Sequence, residues 1–216
     1  MKFRYNAPVI LTYALICTAI MVIWQILGGE GAPGVIDTAG DKFVAAYFMV
    51  PGNTMGFHLF SLDFFKLFSY TLGHGNWLHL ISNFTFILLI GPILEEKYGS
   101  GRLLFMMIIT AGIAGIINVL FFPNPSLGAS GIAFMLIVLI SITNVRAGEI
   151  PLTFIAVVLI YLTNEVINMF NANNNINEMA HLLGGLCGSI FGFALLRRKQ
   201  QEELSEGGKT DNPLGL

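Results

Sequence analysis

Charge is what this sequence has least of. Of its 216 residues, 11% are Asp, Glu, Lys or Arg, against about a quarter in a typical soluble domain. So little charge cannot clothe a water-facing surface, while 55% of the residues are hydrophobic and the mean hydropathy is +0.72. This excludes a soluble globular domain and implies an integral membrane protein. The formal net charge of -2 offers no footing for nucleic acid or for an acidic substrate. Cysteine is nearly absent as well. Cys17 and Cys187 both lie inside apolar runs and read as small hydrophobes in helices, which excludes a disulfide framework. The four histidines form no HExxH pattern. His74 and His79 are five apart and do not share one helical face, so neither a zinc site nor any other cofactor is expected.

What the sequence does have is long apolar runs. A helix needs about 20 apolar residues to cross a bilayer. Six candidate spans are Pro8–Leu27, Trp77–Leu94, Leu103–Phe122, Ser130–Thr143, Ile150–Phe170 and Ala180–Leu196. The first follows Lys2 and Arg4 as a signal peptide would. It is longer than a signal core, though, and no clear cleavage site follows, so it is expected to be a retained span. The predicted fold is all-α: one polytopic six-transmembrane-helix bundle over residues 1–196, then a charged, disordered cytoplasmic tail over 197–216.

Basic residues give the orientation. Lys2, Arg4, Lys97, Arg102, Arg146, Arg197, Arg198, Lys199 and Lys209 fall on one side of such a bundle, and Lys42 and Lys66 on the other. The positive-inside rule then places both termini in the cytoplasm.

Two segments do not fit a plain bundle. Residues 28–73 make a long outer connection rich in aromatics, including Phe43, Tyr47, Phe57, Phe60 and Phe64. Short helices lying in the membrane interface are expected there. The fourth span is too short to cross, and Pro123, Asn124, Pro125 and Gly128 before it preclude regular helix. Irregular backbone at membrane depth persists where it is buried in protein or lines a wet cavity. A water-filled cavity opening outward, with Ser130 at its floor, is therefore expected.

The second, fourth and sixth spans all run from outside to inside, and each carries chemistry-bearing groups near its start. These are His79 and Asn83, four apart on one helical face, then Ser130, then His181. Taken singly, Ser130 reads as a helix N-cap and His181 as an interhelical hydrogen bonder. Together they supply a nucleophile, a base, and donors from His79, Asn83 and the Ser130 N–H for an oxyanion. Gly184, Gly188 and Gly192 recur every four residues close to the His181 face, a spacing that lets helices pack closely.

Gly128-Ala129-Ser130-Gly131 resembles the GxSG motif of the rhomboid family of intramembrane serine proteases. Ala180-His181 followed by Gly184 resembles its AHxxG, and His74, His79 and Asn83 fit its HxxxxHxxxN spacing. The loop Glu96–Arg102 is also similar, and the likeness runs from about Phe65 to Gly192. The resemblance implies a Ser130–His181 dyad and an oxyanion hole of His79, Asn83 and the Ser130 N–H. Gly128 belongs to the nucleophile motif, His74 helps hold the site from its loop, and Phe134 packs against the base. The substrates implied are single-span or polytopic membrane proteins, cut in or near their spans within membrane lipid, with no nucleic acid. The implied location is a prokaryotic cytoplasmic membrane, with the active site opening to the outer side. One departure is Phe65-Lys66, where the family often carries Trp-Arg, which puts the loop's hydrogen bonding in question. Glu165, in the outer third of the fifth span, is expected to line a cavity or interface rather than join the dyad. Two rivals are an inactive relative that binds membrane proteins and a small proton-coupled transporter using His79, His181 and Glu165.

Overall fold

A computed structural model describes residues 6–30, 36–142, 152, 155–156, 159 and 176–210. Seven helices are described: α1 (Pro8–Ile26), α2 (Ala39–Phe48), α3 (Leu62–Ser69), α4 (Trp77–Tyr98), α5 (Ser100–Phe121), α6 (Ser130–Ile142) and α7 (Ile176–Thr210). Four of them hold a stretch long and apolar enough to span a bilayer: α1, α4, α5 and the Ala180–Arg198 part of α7. At 13 residues α6 is apolar but shorter than a crossing requires. The expected span at 150–170, with Glu165, lies outside the described residues. Among the described residues, four helices can thus cross a bilayer by length and composition. Large apolar side chains stand outward on these helices, Leu15, Leu78, Leu89 and Phe121 each about two-thirds exposed or more, as lipid contact requires and water does not favour.

The last helix departs from the sequence reading at its end. Its backbone continues through Arg197 to Thr210, where a disordered tail was expected to begin. Gln, Glu, Lys and Leu make up 199–204, and these are good helix formers.

The aromatic outer connection does contain two short helices. Thr38 and Asp41 form a reciprocal capping box at the start of α2, and the Ser61 side chain caps α3. Within α3, Lys66 pairs with Asp63 at 3.1 Å. Partial burial pushes the Asp63 carboxyl up, but the bond from Lys66 and the N–H of His58 outweigh it and hold the group below its ordinary value. Lys66 thus spends its charge inside its own helix.

Helix directions follow from pair contacts. At one end of the bundle, buried Glu95 near the end of α4 accepts the N–H groups of Val9 and Ile10 at the start of α1, at 2.9 and 3.0 Å, and the Ser100 hydroxyl at 2.7 Å. At the other end Trp77 Nε1 donates to Gln25. The two helices are antiparallel. Gly99, with φ 85°, reverses the chain between α4 and α5 in a conformation L side chains rarely adopt. Along α6 and α7, Gly131 meets Gly184, Met135 meets Gly188 and Ile142 meets Gly192. Numbers rise together, so α6 and α7 are parallel and their N-terminal ends lie side by side.

Glu95 anchors two orphan amides of a helix N-terminus with a full charge where the macrodipole favours it. Truncation strands both donors in a buried place. Glu95→Ala is expected to lower unfolding stability by about 2–5 kcal/mol, read as a fall in the thermal midpoint of the purified protein in detergent.

Candidate active site

The loop between α5 and α6 leads into the Gly128–Gly131 motif, and the outer connection staples it in place. Val50 and Ser126 exchange backbone hydrogen bonds at 2.9 and 3.0 Å, and Asn53 N–H donates to the Phe122 carbonyl at 2.7 Å. The buried Asn118 amide donates to the carbonyl of Pro51 at 3.1 Å. Closer to the serine, Gly128 N–H donates to the Tyr70 carbonyl at 2.9 Å. Ala129 then accepts the first helical bond, from Ala133 N–H. Ser130 is therefore the first residue inside α6 rather than its cap. Its own N–H belongs to the first-turn amides that have no acceptor within the helix. Its side chain is half-buried.

Gly128 has φ +125°, and a methyl group built on it would lie 2.7 Å from His79 Cε1 and 2.8 Å from His79 Nε2. Asn83 Nδ2 is 3.9 Å from the same point, buried, with no hydrogen-bond partner among the described residues. Both side chains of the α4 face thus converge on the turn before Ser130. The Asn76 side chain caps α4 by accepting His79 N–H at 2.8 Å. Gly75 N–H approaches His79 Nδ1 at 3.5 Å. That contact needs a lone pair on Nδ1 and so assigns the ring proton to Nε2, the nitrogen facing Gly128.

His181 comes from α7. A Cβ on Gly184 would run into the Gly131 carbonyl oxygen, and one on Gly131 would stand 3.2 Å from the Ala180 carbonyl. The two backbones thus touch at the residues flanking Ser130 and His181. Phe134, one turn after Ser130, stacks on the His181 ring with centroids 4.2 Å apart and planes 7° from parallel. No group of three or more metal-ligating side chains occurs among the described residues.

The structure thus brings His79 and Asn83 of α4 to the Gly128 turn before α6, and Phe134 of α6 onto His181 of α7. The Tyr70 carbonyl and the Gly75 N–H were missed, because backbone groups leave no mark in residue type.

A model of the Rhomboid domain matches residues 61–198. The chain belongs to the rhomboid family. With its apolar helices, this rhomboid is an integral membrane protein. It is 32% identical over 140 residues to Rhomboid protease GluP of Bacillus subtilis, which covers 62% of this chain and 26% of that protein. It is 24% identical over 135 residues to Rhomboid protease GlpG of Haemophilus influenzae, over 61% of this chain and 69% of that one. The aligned part of this rhomboid thus spans about a quarter of the length of the first relative. The family match begins at residue 61, so α1 and α2 lie outside it.

His74, in the loop before α4, is fully buried, with Nδ1 3.3 Å from the Leu72 carbonyl and its ring edge-on to His79 at 5.1 Å. Burial, reinforced by His79, brings its pKa down to about 3. The unfolded chain, with an ordinary histidine value of ~6.5, then binds the proton that the folded rhomboid refuses. Stability should be intact above about pH 6.5 and fall as pH drops toward 3. The thermal midpoint should decline across that window, and His74→Asn, whose amide can still meet the Leu72 carbonyl, should flatten the decline.

Gly128 yields a second prediction. Gly128→Ala forces an L residue to φ +125° and sets its methyl against His79. In a cleavage assay run beside the native protein, kcat should fall by roughly 10- to 100-fold, with KM little changed.

Proposed function

We propose that this rhomboid is an intramembrane serine endopeptidase that cleaves other membrane proteins in or near their spans, with Ser130 as nucleophile and His181 as general base and acid. The observation that carries the reading is the meeting of three helix starts. His79 and the Asn83 amide, which has no partner among the described residues, lie against Gly128, and His181 lies on Phe134, one turn from Ser130. The names of the two relatives support it.

In this mechanism Ser130 Oγ attacks the scissile carbonyl carbon while its proton passes to His181. The carbonyl oxygen becomes an oxyanion. His79 Nε2–H, the Asn83 amide and the Ser130 N–H donate to it, the last at a helix N-terminus where negative charge is favoured. His181 returns the proton to the leaving amine, the C–N bond breaks, and an acyl ester on Ser130 remains. Water then attacks the ester, losing a proton to His181, and Ser130 leaves with that proton as the acid product departs.

The basic residues put both termini in the cytoplasm, which sets the N-terminal ends of α4, α6 and α7 toward the outer side. Water reaches Ser130 from there. The test is the purified full chain in detergent with a generic single-span substrate. Two discrete fragments, suppressed by a fluorophosphonate, are expected. A folded protein that holds the substrate uncut would instead be an inactive binding relative.

A further inference from the structure

The segment 70–76 between α3 and α4 is not helical, yet it is fastened on several sides. The Tyr70 carbonyl accepts Gly128 N–H, Gly75 N–H approaches His79 Nδ1, and His74 Nδ1 lies against the Leu72 carbonyl. A further fastening comes from the first helix. The buried Tyr13 hydroxyl donates to the Thr71 carbonyl at 2.8 Å, across 58 residues of chain. The same ring packs on Phe84, 5.3 Å between centroids, and Phe84 lies 5.9 Å from His74. Phe84 directly follows Asn83. One side chain of α1 therefore touches both the segment that holds the nucleophile turn and the helix that carries the donors.

We infer that Tyr13 is a positioning residue for the oxyanion donors: its hydroxyl fixes the 70–76 segment, which sets the Gly128 turn and the His79 ring. This rests on the serine-protease reading above. Thr71 and Tyr70 are consecutive, so a Thr71 carbonyl that seeks another donor carries the Tyr70 carbonyl with it. Gly128, one hydrogen bond away, then moves against His79. A buried carbonyl without its donor is costly enough to drive such a shift. The chemistry tolerates little displacement, because about 1 Å at a catalytic group costs on the order of 100-fold. Tyr13 lies outside the matched residues 61–198, so the family match assigns it no role.

The test uses the full chain in detergent. Tyr13→Phe removes one oxygen atom and keeps the ring on Phe84. It should lower kcat roughly 10- to 100-fold, leave KM within about twofold, and slow fluorophosphonate labelling of Ser130 in parallel. Ile20→Val, a core change on the same helix, controls for general loosening and should leave kcat near native. Placing p-aminophenylalanine at position 13 keeps a donor and should restore turnover. p-Methylphenylalanine fills the space without a donor, should not restore it, and serves in place of Tyr13→Phe if that variant does not fold. A Tyr13→Phe kcat within about twofold of native, or an equal loss in Ile20→Val, overturns the inference and leaves the protease reading standing. If the native protein neither cleaves nor labels, the protease reading fails instead. The ¹⁵N imidazole signals of His79 then decide: positioning requires them to shift in Tyr13→Phe, and unshifted signals overturn it.

Discussion

Ser130→Ala is expected to abolish cleavage while the protein folds and melts almost as the native one does. The substitution deletes one hydroxyl at the first position of α6, where the residue is half-buried and the cap is Ala129. Changes of this size away from packed features stay within about 0.5 kcal/mol. The chemistry has no such tolerance. Without Oγ there is no acyl ester, and His181 has no proton to take. In well-studied serine proteases such a deletion costs on the order of 10⁴–10⁶ in kcat. Measuring kcat and the thermal midpoint on one preparation separates the two effects. A variant with substantial turnover, or one that is inactive because it unfolds, would remove Ser130 from the nucleophile's role.

The second large effect is expected at a residue that touches no substrate. Gly184→Val places a branched side chain against the Gly131 carbonyl, where even a Cβ does not fit. Gly131 adjoins Ser130, and Gly184 lies three residues beyond His181, so the push acts on the separation of Ser130 and His181. Overpacking a tight contact costs about 1–3 kcal/mol, and a displacement near 1 Å should reduce turnover on the order of 100-fold or more. Gly101→Ala is the comparison: a methyl there meets nothing within 4 Å. In the first turn of α5 that exchange should be close to neutral, below the ~1 kcal/mol gain of a helix interior. Full activity in Gly184→Val would mean that α6 and α7 adjust freely and that their close packing does not set the dyad.

Much of the architecture was legible because bilayer thickness fixes the length of an apolar run. The starts of the first, second and fourth expected spans coincide with those of α1, α4 and α6, and the third begins three residues earlier, at Ser100. The candidate site's residues stood out too, since residue types of unusual cost recur near the starts of three helices. What sequence could not give were joins between distant parts. Glu95 reads as one carboxylate at the edge of a span, yet it caps a helix 85 residues away. Tyr13 reads as one aromatic in an apolar run, and its bond to Thr71 has no local signature. The extent of α7 beyond Leu196 was missed for a different reason. Charge and glycine suggested disorder, while the helical backbone runs on to Thr210.

The most direct test is to find which atom of the native protein reacts. Incubated with a fluorophosphonate in detergent, digested and mapped by mass spectrometry, the protein should carry one adduct, on Ser130. Ser130→Ala should carry none, and a variant lacking His181 should label far more slowly. Adducts on another serine, or equal labelling with and without His181, would contradict a Ser130–His181 dyad.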